Sequence, residues 1–248
     1  MTYNAHRCLG VDGVLSPERI AEVLAECNAD VIALQELDVG RARSDRVDQA
    51  HAIAHALEMG SVHFHPAWQV LNELYGDAIL TSLPSTLLHA AALPSAAPWV
   101  RHREPRGALL VEVEVGGTTV QILNTHLGLG RRERHVQAGS LLGSDWLESP
   151  ACKPPLILTG DFNSLPAGRV YRMFARRLRD AHVLGRTGRI APTFPSSRPV
   201  FRIDHVFTSE TIEPLSAQVW RSPAAQVASD HLPLVVDLHI QAGEQAAA

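Results

Sequence analysis

Lysine is almost missing from this chain. Of its 22 lysines and arginines only Lys153 is a lysine, and 26 acidic residues leave a formal charge of −4, so no global positive field draws the molecule to nucleic acid. Cysteine is scarce as well. Cys8, Cys27 and Cys152 are odd in number and widely spaced, which fits neither a disulfide framework nor a zinc pattern and favours a reducing, cytoplasmic setting. No apolar run approaches the roughly 18 residues of a membrane span, and the stretch from Leu87 to Pro98 is shorter and broken by Pro94. No internal repeat, Pro/Gly/Ser-rich linker or charge block divides the sequence, and we expect no signal sequence. What remains is 248 residues, 46% of them hydrophobic, enough for one sizeable core. We expect a single domain over residues 1–240 and a small, polar, disordered tail over 241–248.

The chain reads as strands and helices interspersed. Met1 to His6 looks like the end of a strand with Asn4 and His6 on one face. Ser16-Pro17 starts a helix, with serine as N-cap and Ile20, Val23, Leu24 and Cys27 at helical spacing. Asp30 to Glu36 reads as a buried strand ending in a carboxylate, and Val47 to Leu57 as a second helix. Ser61 to Trp68 and Gly76 to Ser82 read as strands, with His63 and His65 as surface histidines and Asp77 a lone acid in an apolar run. Leu87 to Arg103 is Ala- and Pro-rich and reads as irregular. Gly116-Gly117 joins two strand patterns, Ala108–Val115 and Thr118–Thr125, into the clearest hairpin, and a helix runs from the basic loop at Gly128 to about Leu147. Val170 to Phe174 begins a short arginine-rich helix, and strands follow around Phe201–Phe207, Leu215–Trp220 and Leu232–His239.

Leu156-Ile157-Leu158-Thr159-Gly160-Asp161-Phe162-Asn163 organises the rest. An apolar run ended by glycine is a buried strand that delivers polar side chains at its mouth. On an extended backbone Asp161 and Asn163 share a face while Phe162 turns back to pack. A carboxylate beside an amide suits holding a water or a metal near a phosphate oxygen; Asp-x-Asn is equally ordinary turn chemistry. Several unrelated apolar strands end in the same menu of Asn, Glu, Asp and His, which independent bland explanations account for poorly.

Asn4, Gln35-Glu36, Asn124-Thr125-His126, Gly160-Asp161-Phe162-Asn163, Ile203-Asp204-His205 and Ser229-Asp230-His231, in this order, resemble the endonuclease/exonuclease/phosphatase superfamily, particularly its small bacterial members. The resemblance implies an α/β fold, a four-layer α/β/β/α sandwich with two mixed sheets and a site at the sheet ends. It implies a divalent-metal-dependent phosphoesterase that hydrolyses a phosphodiester by in-line attack of water, with magnesium, or manganese in its place, held by Glu36, Asn4 and Asp230. Asp204 would orient His231, a general base; Asp161 and Asn163 would hold the nucleophile and a phosphate oxygen; His126 would donate to another such oxygen, with Asp77 as its carboxylate partner.

Asn4 lies three residues from the start, where the family's first strand is normally longer, so an upstream stretch is expected. Ser164-Leu165-Pro166 lacks the continuation associated with abasic-site nucleases. The expected partner is a small phosphodiester or lipid headgroup rather than duplex DNA, with no integral membrane segment and no obligate protein partner. A nuclease acting on DNA or RNA and a non-catalytic binding module on the same fold are the rival readings.

Overall fold

Ser16 caps the first helix as its sequence position requires: its hydroxyl accepts from Arg19 N at 3.1 Å and Pro17 opens α1 (Pro17–Cys27). In the computed structural model, which describes residues 1–95, 104–185 and 190–241, this helix lies on the first of two six-stranded sheets. That sheet runs in the order β11 (Ile212–Val219), β12 (Leu234–Ile240), β1 (Thr2–Asn4), β2 (Val31–Val39), β4 (Glu73–Thr81), β3 (Ser61–Val70). The second runs β5 (Ser85–Ala92), β6 (Gly107–Val115), β7 (Thr118–His126), β8 (Leu156–Asp161), β10 (Asp204–Thr208), β9 (Arg179–Asp180). Each sheet holds one parallel pair, β1 with β2 and β7 with β8, among antiparallel neighbours. Both sheets are therefore mixed.

Alternation along the strands sorts side chains between layers. In β2, Ile32 and Leu34 pack with Ile20, Val23 and Leu24 of α1 and Ile53 of α2 (Gln49–Ala56), whereas Ala33 faces Leu109, Val111 and Ile122 of the other sheet. In β8, Leu156 and Leu158 pack with Ala138 and Leu141 of α3 (Arg131–Leu141) and with Phe174 of α4 (Arg169–Phe174), while Ile157 turns to the space between the sheets. Three apolar contacts, helix on sheet, sheet on sheet and sheet on helix, make the four-layer sandwich expected.

Several local expectations change. Leu87–Ala92, expected to be irregular, belongs to β5 and pairs with β6 from Ser85↔Val113 to Ala92↔Gly107; tertiary pairing overrides the weak strand preference of alanine. Residues 96–103, with Arg101 and Arg103, lie outside the described residues, as does the expected tail beyond Gln241. Strand β2 does not stop at Glu36 but bulges between Leu34 and Leu37 and continues to Val39. Helix α3 ends at Leu141, short of Leu147. His6 leaves the strand for a 3-10 turn, His6–Cys8, so extended pairing no longer aligns it with Asn4.

Candidate active site

Layer parity predicts which polar side chains meet. Thr2 and Asn4 alternate with Tyr3, which packs on the helix layer, and Asp161 shares the inward parity of Ile157 and Thr159. By the same rule Asn124 and His126 follow inward-facing Ile122, and Asp204 precedes Val206 while His205 and Phe207 turn outward. Register puts them at one end: His126 and Asp204 are both Cα partners of Asp161, and Asn4 pairs with Gln35. The mouth between the sheets thus collects polar groups from both.

Asn4 joins the two sheets, its Nδ2 donating to Glu36 Oε1 at 3.0 Å and to Asp161 Oδ2 at 3.1 Å, while its Oδ1 accepts from His6 N. Glu36 reaches this position through the bulge, where its φ of 60° is one that non-glycine residues rarely adopt. Asp77 Oδ1 accepts the Glu36 N–H at 3.3 Å, so it caps the bulge, and its carboxyl is pushed up to about 8 by burial. Asp77 was expected beside His126. Arg106 is there instead, its Nη1 3.2 Å from His126 Nδ1.

Arg106 decides the state of His126. A cationic donor makes Nδ1 the acceptor, so the ring proton sits on Nε2, and burial followed by the Arg106 charge holds the imidazole neutral, well below its ordinary value. Nε2 points into the mouth, 3.4 Å from Asp161 Oδ2 and 3.9 Å from Glu36 Oε1. Asn163 Nδ2 stands 3.2 Å from the same Nε2 and donates to Leu127 O.

The turn reading of Asp161-Phe162-Asn163 is realised. Asn163 is left-handed (φ 47°), its N–H donates to Asp161 Oδ1 at 2.8 Å, and Phe162 is buried against Phe174 and Phe207. The turn therefore brings Asn163 to the site. Gly160 (φ 138°) lies so close to β7 that a Cβ would stand 1.8 Å from Thr125 O.

His231 completes the mouth. Its Nδ1 is 2.9 Å from Asp204 Oδ2, its Nε2 is 3.7 Å from Asp161 Oδ2, and Phe194 stacks beside the ring at 4.8 Å. Burial opposes its protonation, but the charges of Asp204 and Asp161 outweigh it and raise the imidazole to about 10. Asp161 is raised to about 7 by burial and by Asp204. Ser229 ties this loop down, donating to Asn4 O and accepting from His231 N. Asp230 stands further out with its carboxylate 3.8 Å from His6 Nδ1. Thr193, which donates to Asp204 Oδ2, Phe194 and Arg106 are not among the residues that the sequence motifs single out.

The donor set suits a hard divalent cation. Two carboxylates, Glu36 and Asp161, lean on one amide nitrogen, with neutral His126 beside them and the His231 ring shared between Asp161 and Asp204, and Asp204 Oδ1 is buried without a hydrogen-bond partner among the described residues. One ligand atom each from Asp161, Asp204 and His231 lie within 4.8 Å of one another. Oxygen-rich, incompletely neutralised sites of this kind match magnesium or manganese better than thiophilic metals.

The chain is 27% identical over 143 residues to the uncharacterized protein YbhP of Escherichia coli K12, and spans about half the length of the curated relatives it matches: 55% of this chain, 54% of the relative. Among solved structures, an endonuclease/exonuclease/phosphatase from Beutenbergia cavernae superimposes with a TM-score of 0.79 at 22% identity, covering 97% of this chain and 70% of that one. The mannosyl-6-phosphatase Bt3783 of Bacteroides thetaiotaomicron gives 0.75 at 19% identity over 96% and 98%. The human Nocturnin catalytic domain gives 0.68 at 24% over 96% and 93%. At these identities the structures establish the fold. The sequence model of the endonuclease/exonuclease/phosphatase family matches residues 1–231, from before Asn4 to His231, and the chain belongs to that family.

Proposed function

We propose that this protein is a divalent-metal-dependent phosphodiesterase acting by in-line attack of water. The observation that carries the reading is the meeting, at one mouth, of Asn4 and Glu36 from one sheet with Asp161 and His126 from the other, closed by the Asp204–His231 pair. Glu36 would hold magnesium or manganese, its carboxylate oriented by the Asn4 amide, with Asp230 further out. When bound, the ion supplies charge neutralisation at the phosphoryl oxygens.

The chain's own groups divide the remaining work. Asp204 accepts from His231 Nδ1 and so fixes the ring with Nε2 toward Asp161. Asp161 and His231 act as one coupled pair that takes the proton of the attacking water. His126, neutral with its proton on Nε2, donates to a non-bridging oxygen as negative charge grows there. Asn163 contributes an amide beside it.

No helix among the described residues is long and apolar enough to cross a membrane, and the free Cys8, Cys27 and Cys152 fit a reducing, cytoplasmic setting. A nuclease of the same fold is the second reading, favoured by arginines near Asn163. The test is turnover of bis(p-nitrophenyl) phosphate beside p-nitrophenyl phosphate with magnesium, with manganese and with EDTA. Metal-dependent cleavage with preference for the diester is expected; metal-independent cleavage, or none of either ester, defeats the proposal.

A further inference from the structure

Asn163 forms one end of a groove that the reaction at the mouth does not use. The groove encloses about 650 Å³ between α3 and α4 and is lined by Arg131, Arg132, Arg134, His135 and Arg169. Beyond His135 it continues for about 460 Å³ along Arg169, Arg172, Met173 and Arg176. No carboxylate lines either stretch. Arg177, next in the sequence, pairs with Glu148 at 2.7 Å, whereas Arg131, Arg132, Arg169, Arg172 and Arg176 make no ion pair with any described residue.

Arginines on an exposed helix are ordinarily a solvated face. Here they line a concavity in a chain whose net charge is −4, so they are concentrated against the average composition and repel one another until an anion arrives. Arg169 and Arg172 stand one turn apart on α4, on the same side. That helix begins six residues past Asn163, so the groove is tied to the reacting centre by a short loop. Its apolar lining is Leu165, Ala167, Val170 and Met173, and the one ring in it is the His135 imidazole, with no Phe, Tyr or Trp to serve as a stacking platform. Guanidinium groups that outnumber the rings around them recognise phosphate rather than a run of stacked bases.

We infer that the α3–α4 groove is a second anion subsite holding a phosphate group of the substrate beyond the one being hydrolysed. The inference rests on the phosphodiesterase reading and narrows its substrate class to esters carrying two or more phosphates.

The test uses the full chain with magnesium and two probes, the 5′-p-nitrophenyl ester of thymidine 5′-phosphate with and without a 3′-phosphate. In the parent the 3′-phosphate raises kcat/KM about tenfold, the scale of one charge-assisted contact, and in Arg169→Glu/Arg172→Glu that ratio falls to about one. A parent that treats both esters alike, or a variant that keeps the ratio, overturns the inference. Calorimetric binding of inorganic tripolyphosphate in EDTA supplies a readout independent of turnover: tight in the parent, at least about tenfold weaker in the variant. If neither ester turns over but tripolyphosphate discriminates, the phosphodiesterase reading falls and the subsite stands; turnover without discrimination does the reverse. Sedimentation of the parent but not the variant with phosphatidylcholine vesicles doped with phosphatidic acid places the second phosphate on a lipid headgroup. No sedimentation, with the parent's tenfold ratio lost in the variant, places it on a soluble ester.

Discussion

Gln35 Nε2 donates to Asn124 Oδ1 at 2.8 Å across the space between the two sheets, and the Asn124 amide in turn donates to Leu34 O and Ala78 O at 2.9 Å. Both side chains are fully buried. This bond sets the spacing and register of the sheets just beneath the mouth, because neither amide can slide without leaving a buried polar group unpaired. Asn124→Leu should therefore cost about 3 kcal/mol, the scale of stranding more than one buried polar group. Urea unfolding should show a lower midpoint at unchanged slope. A loss below about 1 kcal/mol would mean that the sheets are held by their apolar contacts alone.

Removing the His231 ring should act on turnover rather than on folding or metal affinity. His231→Ala is expected to lower kcat by roughly 10² or more, and Asp204→Asn to act through the same ring, so that the double variant is little worse than His231→Ala alone. Glu36→Ala should instead raise the magnesium concentration needed for half-maximal rate. Full additivity of the two ring variants would show that Asp204 works independently of His231.

How much of this was legible in the residues depends on what each feature needs. Helix α1 and the β6–β7 hairpin were readable because Ser16-Pro17 and Gly116-Gly117 act locally. The sandwich itself came from the resemblance, since alternating strands and helices are compatible with many layer arrangements. Glu36 was recognised at a supposed strand end, yet it reaches the mouth by a bulge, and bulges leave no spacing signature. Arg106 precedes β6 without any local signal; that its guanidinium meets His126, twenty residues on, depends on pairing across the β6–β7 hairpin.

Arg106 and Asp77 can be separated directly. Asp77→Asn keeps an acceptor for the Glu36 N–H, so activity should change less than about threefold, whereas Arg106→Met frees Nδ1 of His126 and should lower kcat/KM roughly tenfold or more, with Arg106→Lys recovering part of it. The opposite ranking would restore the carboxylate as the working partner of His126.

His205 gives the protein a pH dependence outside the proposed ion site. Its ring lies among Phe162, Tyr171 and Phe207, Nε2 is 2.7 Å from Ser164 O, and burial holds it down to about 4. A histidine whose folded value lies below its unfolded one of about 6.5 takes up its proton more readily when unfolded. Its contribution to stability is therefore complete above that value and is lost as pH falls from about 6.5 toward about 4. His205→Gln keeps a donor for Ser164 O but cannot titrate. Thermal midpoints taken between pH 7 and pH 4 should fall more steeply for the parent than for this variant; parallel curves would place the acid sensitivity elsewhere.

Duplex DNA is the substrate most at odds with the charge distribution. A nuclease that tracks a duplex neutralises several phosphates and weakens steeply with salt as counterions are released. The unpaired arginines here line one groove beside Asn163 in a molecule of net charge −4, a cationic footprint suited to one or two further phosphates rather than to a long rod of them. Cleavage of plasmid DNA and of small phosphodiesters, each with magnesium at about 50 and about 200 mM salt, the range over which multi-phosphate binding collapses, separates the cases. The small esters should be turned over at both salts with a modest decline, and the plasmid should be nicked poorly at either. Efficient nicking at low salt that collapses at high salt would reverse the order, because only an extended array of phosphate contacts releases enough counterions to produce so steep a loss.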